Sequence, residues 1–394
     1  MKLRVLARHA GEAWEVPRDL MLGRYPPFVT GGPLPRSHVP VFVFHSVEPE
    51  SFGRRLDYLA DNGYVTLSAE EYFQFLLGGR PAPERAVVLT FDDGRGSLWS
   101  VAAPLLENRR MKGVVFLVPG RTPSRPEPPL PTWADVREGR AVAEEVLTRE
   151  QRHPLLSWEE IRDLAARRVF DFQSHTLSHA RIHTDARVVG FVTPPLRRGY
   201  DAFDLPLVAS SGGADLPPEE VPLGRPILQW SPRTSEALRF REDPDYGRAC
   251  VDSVAAGGGE RFFDRPRWQR ELRALLPAPP AGTRETPRQR DEAILLELSE
   301  SRRAIEERTG LPVIHLCFPW HVSGPTARRL AKDAGYRTAF CGKVAGVPVT
   351  LAGGDLSAIA RIGEDYVELL PGRGRTTLKA VLQQKWRRRR RSTS

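Results

Sequence analysis

The chain has 394 residues, 40% of them apolar, enough for one large domain or two smaller ones and too apolar for a globally disordered polymer. Its formal net charge of +9 is mostly a tail: Lys385 and Arg387 to Arg391 contribute six positives, and the remainder stands at only +3. Three cysteines, Cys250, Cys317 and Cys341, argue against a disulfide scaffold, and no run approaches the roughly 18 apolar residues of a membrane-spanning helix. The segment Met1 to Ala10 is cationic but lacks an apolar core of about 7 to 15 residues, so a cleaved secretion signal is not expected and a cytoplasmic setting is.

The first element in chain order is the apolar run Val39 to Phe44, which reads as a strand leading into His45. Phe52, Leu56 and Leu59 recur at helical spacing, and Gly63 ends that helix. Ser68 with Glu71 and Ser157 with Glu160 are capping boxes, in which side chain and backbone satisfy each other, so a helix starts after each serine. Ala86 to Leu89, Gly113 to Val118, Val169 to Phe172 and Val313 to Phe318 read as buried strands, with helical stretches at Trp99 to Leu106 and Ala293 to Glu307. Strands alternating with helices predict an α/β fold around a mostly parallel sheet.

Two of these strands end in chemistry. Ala86 to Leu89 runs into Thr90-Phe91-Asp92-Asp93-Gly94, and the strand at Val169 runs towards His175-Thr176-Leu177-Ser178-His179. Open α/β folds place ligands at the carboxyl ends of strands. Two imidazoles four residues apart and one carboxylate make three metal ligands and leave a position open, the arrangement of catalytic rather than structural zinc. The second carboxylate of the pair is then free to act as a base. Each piece alone also has an ordinary reading: Asp-Asp-Gly is a common turn, and spaced histidines often bind nothing.

The two motifs together resemble those of the polysaccharide deacetylase family, also called the NodB homology or carbohydrate esterase family 4 group, whose first two motifs are T-F-D-D-G and H-[ST]-x-x-H. Both occur here without substitution. The resemblance implies a distorted (β/α) barrel of seven or eight strands with its site at the C-terminal strand ends. It further implies Asp93, His175 and His179 as ligands of one divalent metal ion, zinc, with Asp92 as base. On this reading the barrel occupies 39–184 and 286–370, interrupted after the His motif by a long insertion at 185–285. An N-terminal extension covers 1–38 and a basic tail 371–394. Aromatic residues from Phe191 to Trp268, Tyr200, Phe203 and Trp230 among them, are too dense for a linker, so the insertion is expected to form a lid or a substrate wall.

The third motif resembles the family's less closely. It reads Cys317-Phe318-Pro319-Trp320-His321, with Pro319 and Trp320 in the positions expected to contact substrate: a fixed turn, a backbone donor and a flat ring face. Relatives often carry an arginine ahead of this proline to brace the catalytic aspartate; Cys317 stands in that neighbourhood instead. The late histidine that usually protonates the leaving amine is missing, since none follows His321. His321 is assigned as the catalytic acid, with His183, Arg361 or Asp92 itself as alternatives, and His45 is expected to be structural.

The resemblance implies an N-deacetylase acting on an amino sugar in a glycan or glycolipid precursor. A deformylase or other amide hydrolase of the same superfamily and a non-catalytic, metal-retaining carbohydrate-binding protein stay open. Absence of an export signal shifts the expected substrate towards a nucleotide- or lipid-linked sugar. The tail Lys385-Trp386-Arg387 to Arg391 suits anionic lipid headgroups, which predicts peripheral contact with the inner membrane face; a solvated end or a nucleic-acid contact is the alternative.

Overall fold

The computed structural model describes residues 15–125, 129–210, 212–276 and 278–391, the side chains of 15 and of 388–391 excepted. The reading of Met1 to Ala10 and the side chains of Arg388 to Arg391 therefore lie outside the described residues. The strands, in chain order, are β1 (Val41–Phe44), β2 (Val65–Thr66), β3 (Ala86–Asp92), β4 (Gly113–Leu117), β5 (Phe170–Ser174), β6 (Arg181–Phe191), β7 (Pro226–Pro232), β8 (Phe240–Glu242), β9 (Gly282–Arg284), β10 (His315–Cys317), β11 (Thr338–Phe340) and β12 (Ile362–Gly363).

The apolar runs pair as a parallel sheet in the order β11-β10-β5-β4-β3-β1-β12, with β2 alongside the start of β3. Its two edges meet through one segment. Ile359 exchanges backbone hydrogen bonds with Ala339 and Cys341 at the β11 edge, and Ile362 pairs with Phe42 of β1 three residues later. The sheet thus curls into the distorted (β/α) barrel expected from the sequence. Side chains alternate along β3: Val88 packs inside with Val41, Val114, Phe116, Phe340 and Ile359, while Val87, Leu89 and Phe91 pack outward in the larger core beneath the helices. Thr90 and Asp92 share the parity of Val88, which delivers Asp92 to the inner rim at the strand's carboxyl end.

The helices begin where their caps predict. The Ser68 hydroxyl accepts from the Glu71 N–H while the Glu71 carboxylate accepts from the Ser68 N–H, opening Ala69–Leu76; Ser157 and Glu160 open Trp158–Ala166 in the same way. A third box, Thr286 with Gln289, starts the long helix Pro287–Thr309 six residues earlier than the apolar spacing alone suggests. The stretch predicted helical from Trp99 to Leu106 divides into a π turn, Leu98–Ala102, and an α-helix, Ala103–Glu107.

Antiparallel pairing outside the parallel sheet starts before residue 185, where the insertion was expected to begin. β6 begins at Arg181, inside the segment assigned to the barrel, because Arg181 already pairs with Pro232 of β7 in an antiparallel ladder. Sequence alternation is weak there, and the polar run Arg181-Ile182-His183-Thr184 gave no strand signal. β6 and β7, the β8/β9 pair and the helices Arg248–Ala256 and Trp268–Ala274 form a lobe with small cores of its own, one around Phe191, Cys250 and Phe262, another around Val192, Leu205 and Val221. The N-terminal segment is bound to the barrel: Phe28 and Val29 are buried in its core, and the Arg375 guanidinium donates to the carbonyls of Phe28, Gly31 and Gly32.

Candidate active site

The carboxyl ends of β3 and β5 lie two strands apart, with β4 between them, and each ends in a left-handed turn. Asp93 has φ 70° and Gly94 φ 66°, a bend that turns the Asp93 side chain over the end of the sheet directly after Asp92. Thr176 and His179 also have positive φ, at 64° and 56°, so the two imidazoles converge through a bent loop rather than one helical turn. The long helix Pro287–Thr309 holds that loop: the Glu297 carboxylate accepts from the Ser178 N–H at 2.9 Å and from its hydroxyl at 2.5 Å.

Asp93, His175 and His179 are buried, and Nε2 of each histidine lies 3.6 Å from Asp93 Oδ1. His175 Nδ1 donates to the Cys317 carbonyl at 2.8 Å, which fixes the tautomer and leaves Nε2 with a free lone pair. Burial and then the neighbouring His175 hold His179 well below the usual imidazole range, in the neutral form that a ligand requires. Among the described residues, Asp93 Oδ1 is buried without a hydrogen-bond partner, while Oδ2 accepts from the Tyr200 hydroxyl at 3.0 Å. An orphaned carboxylate oxygen facing two imidazole lone pairs is costly unless a cation satisfies all three. Tetrahedral zinc, with bonds of about 2.0–2.1 Å, needs donors about 3.3 Å apart, close to the spacing found. The residues present fit one divalent metal ion.

Asp92 sits beside this triad in a buried clamp. Arg361 Nη1 donates to its Oδ1 at 2.7 Å and Nη2 to its Oδ2 at 2.8 Å, a bidentate pair. The same guanidinium reaches Thr90 Oγ1 at 3.0 Å, the Cys341 carbonyl at 2.8 Å and Cys317 Sγ at 2.9 Å, so its plane is fixed on every side. Burial alone would raise the Asp92 pKa, but the Arg361 charge outweighs it and holds the carboxyl well below the usual carboxylate range. Arg361 is therefore the brace that the third motif lacks, supplied from the segment entering β12, and Cys317 takes a place in its shell.

Residues 79–190 match the family model for polysaccharide deacetylase, a stretch that contains both motifs. This stretch is similar to the polysaccharide deacetylase family. A poly-beta-1,6-N-acetyl-D-glucosamine N-deacetylase of Escherichia coli K12 is 30% identical over 146 residues, 36% of this chain and 20% of that protein. The chain thus spans about a fifth of the length of that relative. Among solved structures, the BpsB deacetylase domain of Bordetella bronchiseptica is 15% identical with a TM-score of 0.48, covering 84% of this chain and 96% of that one. IcaB of Ammonifex degensii is 16% identical with a TM-score of 0.45, covering 84% and 95%.

Set beside the deacetylase motifs, the remaining sequence expectations divide. Pro319 and Trp320 stand at the site: Pro319 is buried, and the Trp320 ring centroid lies 4.5 Å from that of His179. Trp320 and His321 take left-handed φ of 57° and 58°, and Trp320, the second residue of a short 3-10 turn, has no intrahelical acceptor for its N–H. The Trp320 indole is not an open platform for a sugar, because the Arg181 guanidinium lies 3.6 Å over it and 3.9 Å over Trp230. His321 does not fit the acid role. Its Nδ1 lies 3.4 Å from Arg361 Nη2, which can only donate, and the packing around it followed by the Arg361 charge pushes its pKa down to about 3. A proton there would face a fixed cation.

The alternatives for the acid change as well. His183 has both ring nitrogens engaged, Nδ1 with Glu242 at 3.1 Å and Nε2 with the Leu228 N–H at 3.4 Å. Arg361 is occupied as the brace. His45, expected to be structural, is exposed at the end of β1, within electrostatic reach of Asp92, His179 and His321. The insertion's contribution is direct: Tyr200 bonds Asp93 and stacks on Phe203 at 5.2 Å, and Phe203 packs edge-on against His179 at 5.4 Å. No pattern in the sequence tied either aromatic residue to the metal ligands; their density in the insertion was the only signal.

Proposed function

We propose that this protein is a metal-dependent hydrolase that removes the N-acetyl group from an amino sugar in a glycan or glycolipid precursor. The observation that carries the reading is the buried, unpartnered Asp93 Oδ1 facing two imidazole lone pairs beside a clamped Asp92. Asp93, His175 and His179 would hold the ion, for which zinc suits the donor set. Zinc bound there would polarise the amide carbonyl and acidify water, addressing the poor electrophile and the poor nucleophile together.

The chain's own groups do the rest. Asp92, kept ionised by Arg361, accepts the proton of the attacking water; the clamp trades some basicity for a fixed direction. The Trp320 N–H, free of an intrahelical acceptor, would donate to the oxygen that gains charge as the carbon becomes tetrahedral. The leaving amine takes its proton from His45, or from Asp92 returning the one it received. A carbohydrate-binding protein without turnover would have little use for a carboxylate held this way.

Elemental analysis of the purified protein, paired with acetate release from N-acetylated sugars, tests the reading. One ion per chain and acetate released by wild type, with Asp92→Asn inactive, is the expected result. Metal bound with formate but no acetate released would move the substrate to a formamide. Failure to bind metal after reconstitution would sink the site.

Membrane contact and a cytoplasmic setting belong to the same proposal. In the helix Leu378–Arg391, Leu378, Leu382 and Trp386 recur every four residues on one face, and Leu382 and Trp386 are 37% and 54% exposed beside the cationic run. Lys385 anchors the helix to Asp365 at 3.1 Å. Pelleting with anionic vesicles should fall when residues 385–394 are deleted; equal binding would remove the idea.

A further inference from the structure

Five arginines, Arg121, Arg125, Arg152, Arg197 and Arg198, line a cleft of about 900 Å³ between the end of β4 and the insertion. Two carboxylates, Asp215 and Glu219, lie on the same wall, and Asp215 is already taken by both Nη atoms of Arg239. Three of the arginines have partners: Arg125 pairs with Glu160 at 3.6 Å, Arg198 with Glu260, and Arg197 donates to the Glu219 carbonyl. Arg121 and Arg152 have no carboxylate within ion-pair distance among the described residues. Arg121 is half-buried, and among the described residues its guanidinium makes one hydrogen bond, a long one of 3.4 Å from Nε to the Ser178 carbonyl; burial lowers its pKa, opposed by the Glu219 and Glu297 carboxylates, neither of which comes within ion-pair distance. A guanidinium kept partly from water and left unpaired in a cleft that holds surplus positive charge is poised for an anion from outside.

The cleft adjoins the metal-binding face. Phe203 lines it and touches His179 on its other side, and Ser178, in the His motif, forms part of its wall. The Gly120 N–H donates to the Leu177 carbonyl at 2.8 Å, where a Cβ on Gly120 would come within 2.6 Å of that oxygen, so the arginine-bearing loop is fastened to the ligand-bearing one. A group bound among the arginines would therefore belong to the same substrate as an N-acetyl sugar at the metal site, one aromatic residue away.

We propose that this cleft is an anion subsite that takes a phosphate or carboxylate carried by the substrate next to the N-acetylated sugar. This rests on the deacetylase reading and narrows it: the preferred substrate is an anionic glycan precursor, not a neutral chain. Guanidinium recognises either anion, and the test separates them.

The zinc-loaded full chain would be given three N-acetylglucosamine oligomers of equal length: neutral, carrying one phosphate monoester, and carrying one uronate. Acetate release and calorimetric binding would be followed at low and high salt. The expected result is kcat/KM at least tenfold higher for the phosphorylated or the uronate oligomer, through KM, with the preference shrinking as salt rises. Arg121→Gln should collapse the ratio of anionic to neutral turnover towards one, and Arg152→Gln, at an exposed position less able to disturb the fold, should lower it in the same direction. Equal turnover of all three oligomers would overturn the subsite and leave the deacetylase reading standing. Salt-dependent, Arg121-dependent binding of an anionic oligomer without acetate release would do the reverse. Neither binding preference nor turnover would overturn both.

Discussion

The two sides of the site are built differently. On the β3 and β5 side, the residues that the sequence singles out come together: Asp92, Asp93, His175 and His179 fall within two short motifs and lie side by side, buried, at the strand ends. On the β10 to β12 side the contacts are made by residues other than those expected. Cys317 lies where a bracing arginine was expected, and the brace arrives 44 residues later as Arg361, whose Nη2 lies 2.9 Å from the sulfur. What the chemistry requires is a cation at a point in space beside Asp92. Inside a closed barrel, neighbouring strands can each supply that point, because their inward side chains converge on the same axis.

That contrast can be broken most forcefully at Arg361. Arg361→Met leaves Asp92 buried and unpaired, which should cost about 3–5 kcal/mol of stability and at least 100-fold in kcat. Arg361→Lys keeps the charge but loses the fork, and should fall between the two. Thermal denaturation and acetate release would measure both; a Met variant of near wild-type stability and turnover would show that the brace lies elsewhere. The proton donor comes next. His45→Ala should lower kcat by about 100-fold or more, within the usual range for losing an acid-base group, while His321→Ala should stay within about tenfold. The opposite ranking would restore His321 as the acid. If both variants remain active, Asp92 returns the proton itself.

A smaller effect is expected from the insertion. Tyr200→Phe removes the hydrogen bond to Asp93 Oδ2 while keeping the ring stacked on Phe203. Loss of such a partner to a metal ligand should weaken metal affinity by about 10–100-fold, read by competition with a chelating dye. Unchanged affinity would make the insertion a bystander to the metal site.

The barrel was legible because each strand is a short apolar run and each helix announces itself with a cap. β3 and β5 were also easy to join to function, since the polar residues follow the apolar run without a gap. Three features were not legible. Arg361 sits in Ala360-Arg361-Ile362, a stretch too short to show which face it presents, and its meaning depends on the curl that brings Ile359 to β11. The start of β6 is a polar strand whose partner lies more than 40 residues away. Tyr200 lies in a 3-10 turn, Gly199–Asp204, that carries no periodic signal, so its approach to Asp93 depends on how the insertion folds back. Local pattern reports what a segment can become; it reports contacts only where the chain is short enough to leave little choice.

His315 sharpens the comparison at its quieter end, because it belongs to the β10 side yet lies outside the catalytic group. It is buried, with Nδ1 2.7 Å from Thr338 Oγ1 of the neighbouring strand, and Nε2 has no hydrogen-bond partner among the described residues. Burial, followed by the Arg337 charge, pushes its pKa down to about 3, against roughly 6.5 for an exposed imidazole. The folded state thus binds fewer protons at this site than the unfolded chain does. Its contribution is complete above about pH 6.5 and drains away as pH falls towards 3, at no more than about 1.4 kcal/mol per pH unit. Urea midpoints measured from pH 7 to pH 4.5 should therefore fall more steeply for wild type than for His315→Gln, even where the variant starts out less stable. Parallel slopes would mean that His315 is protonated within the fold, with the Glu70 carboxylate, 3.8 Å from Nε2, closing in to pair with it.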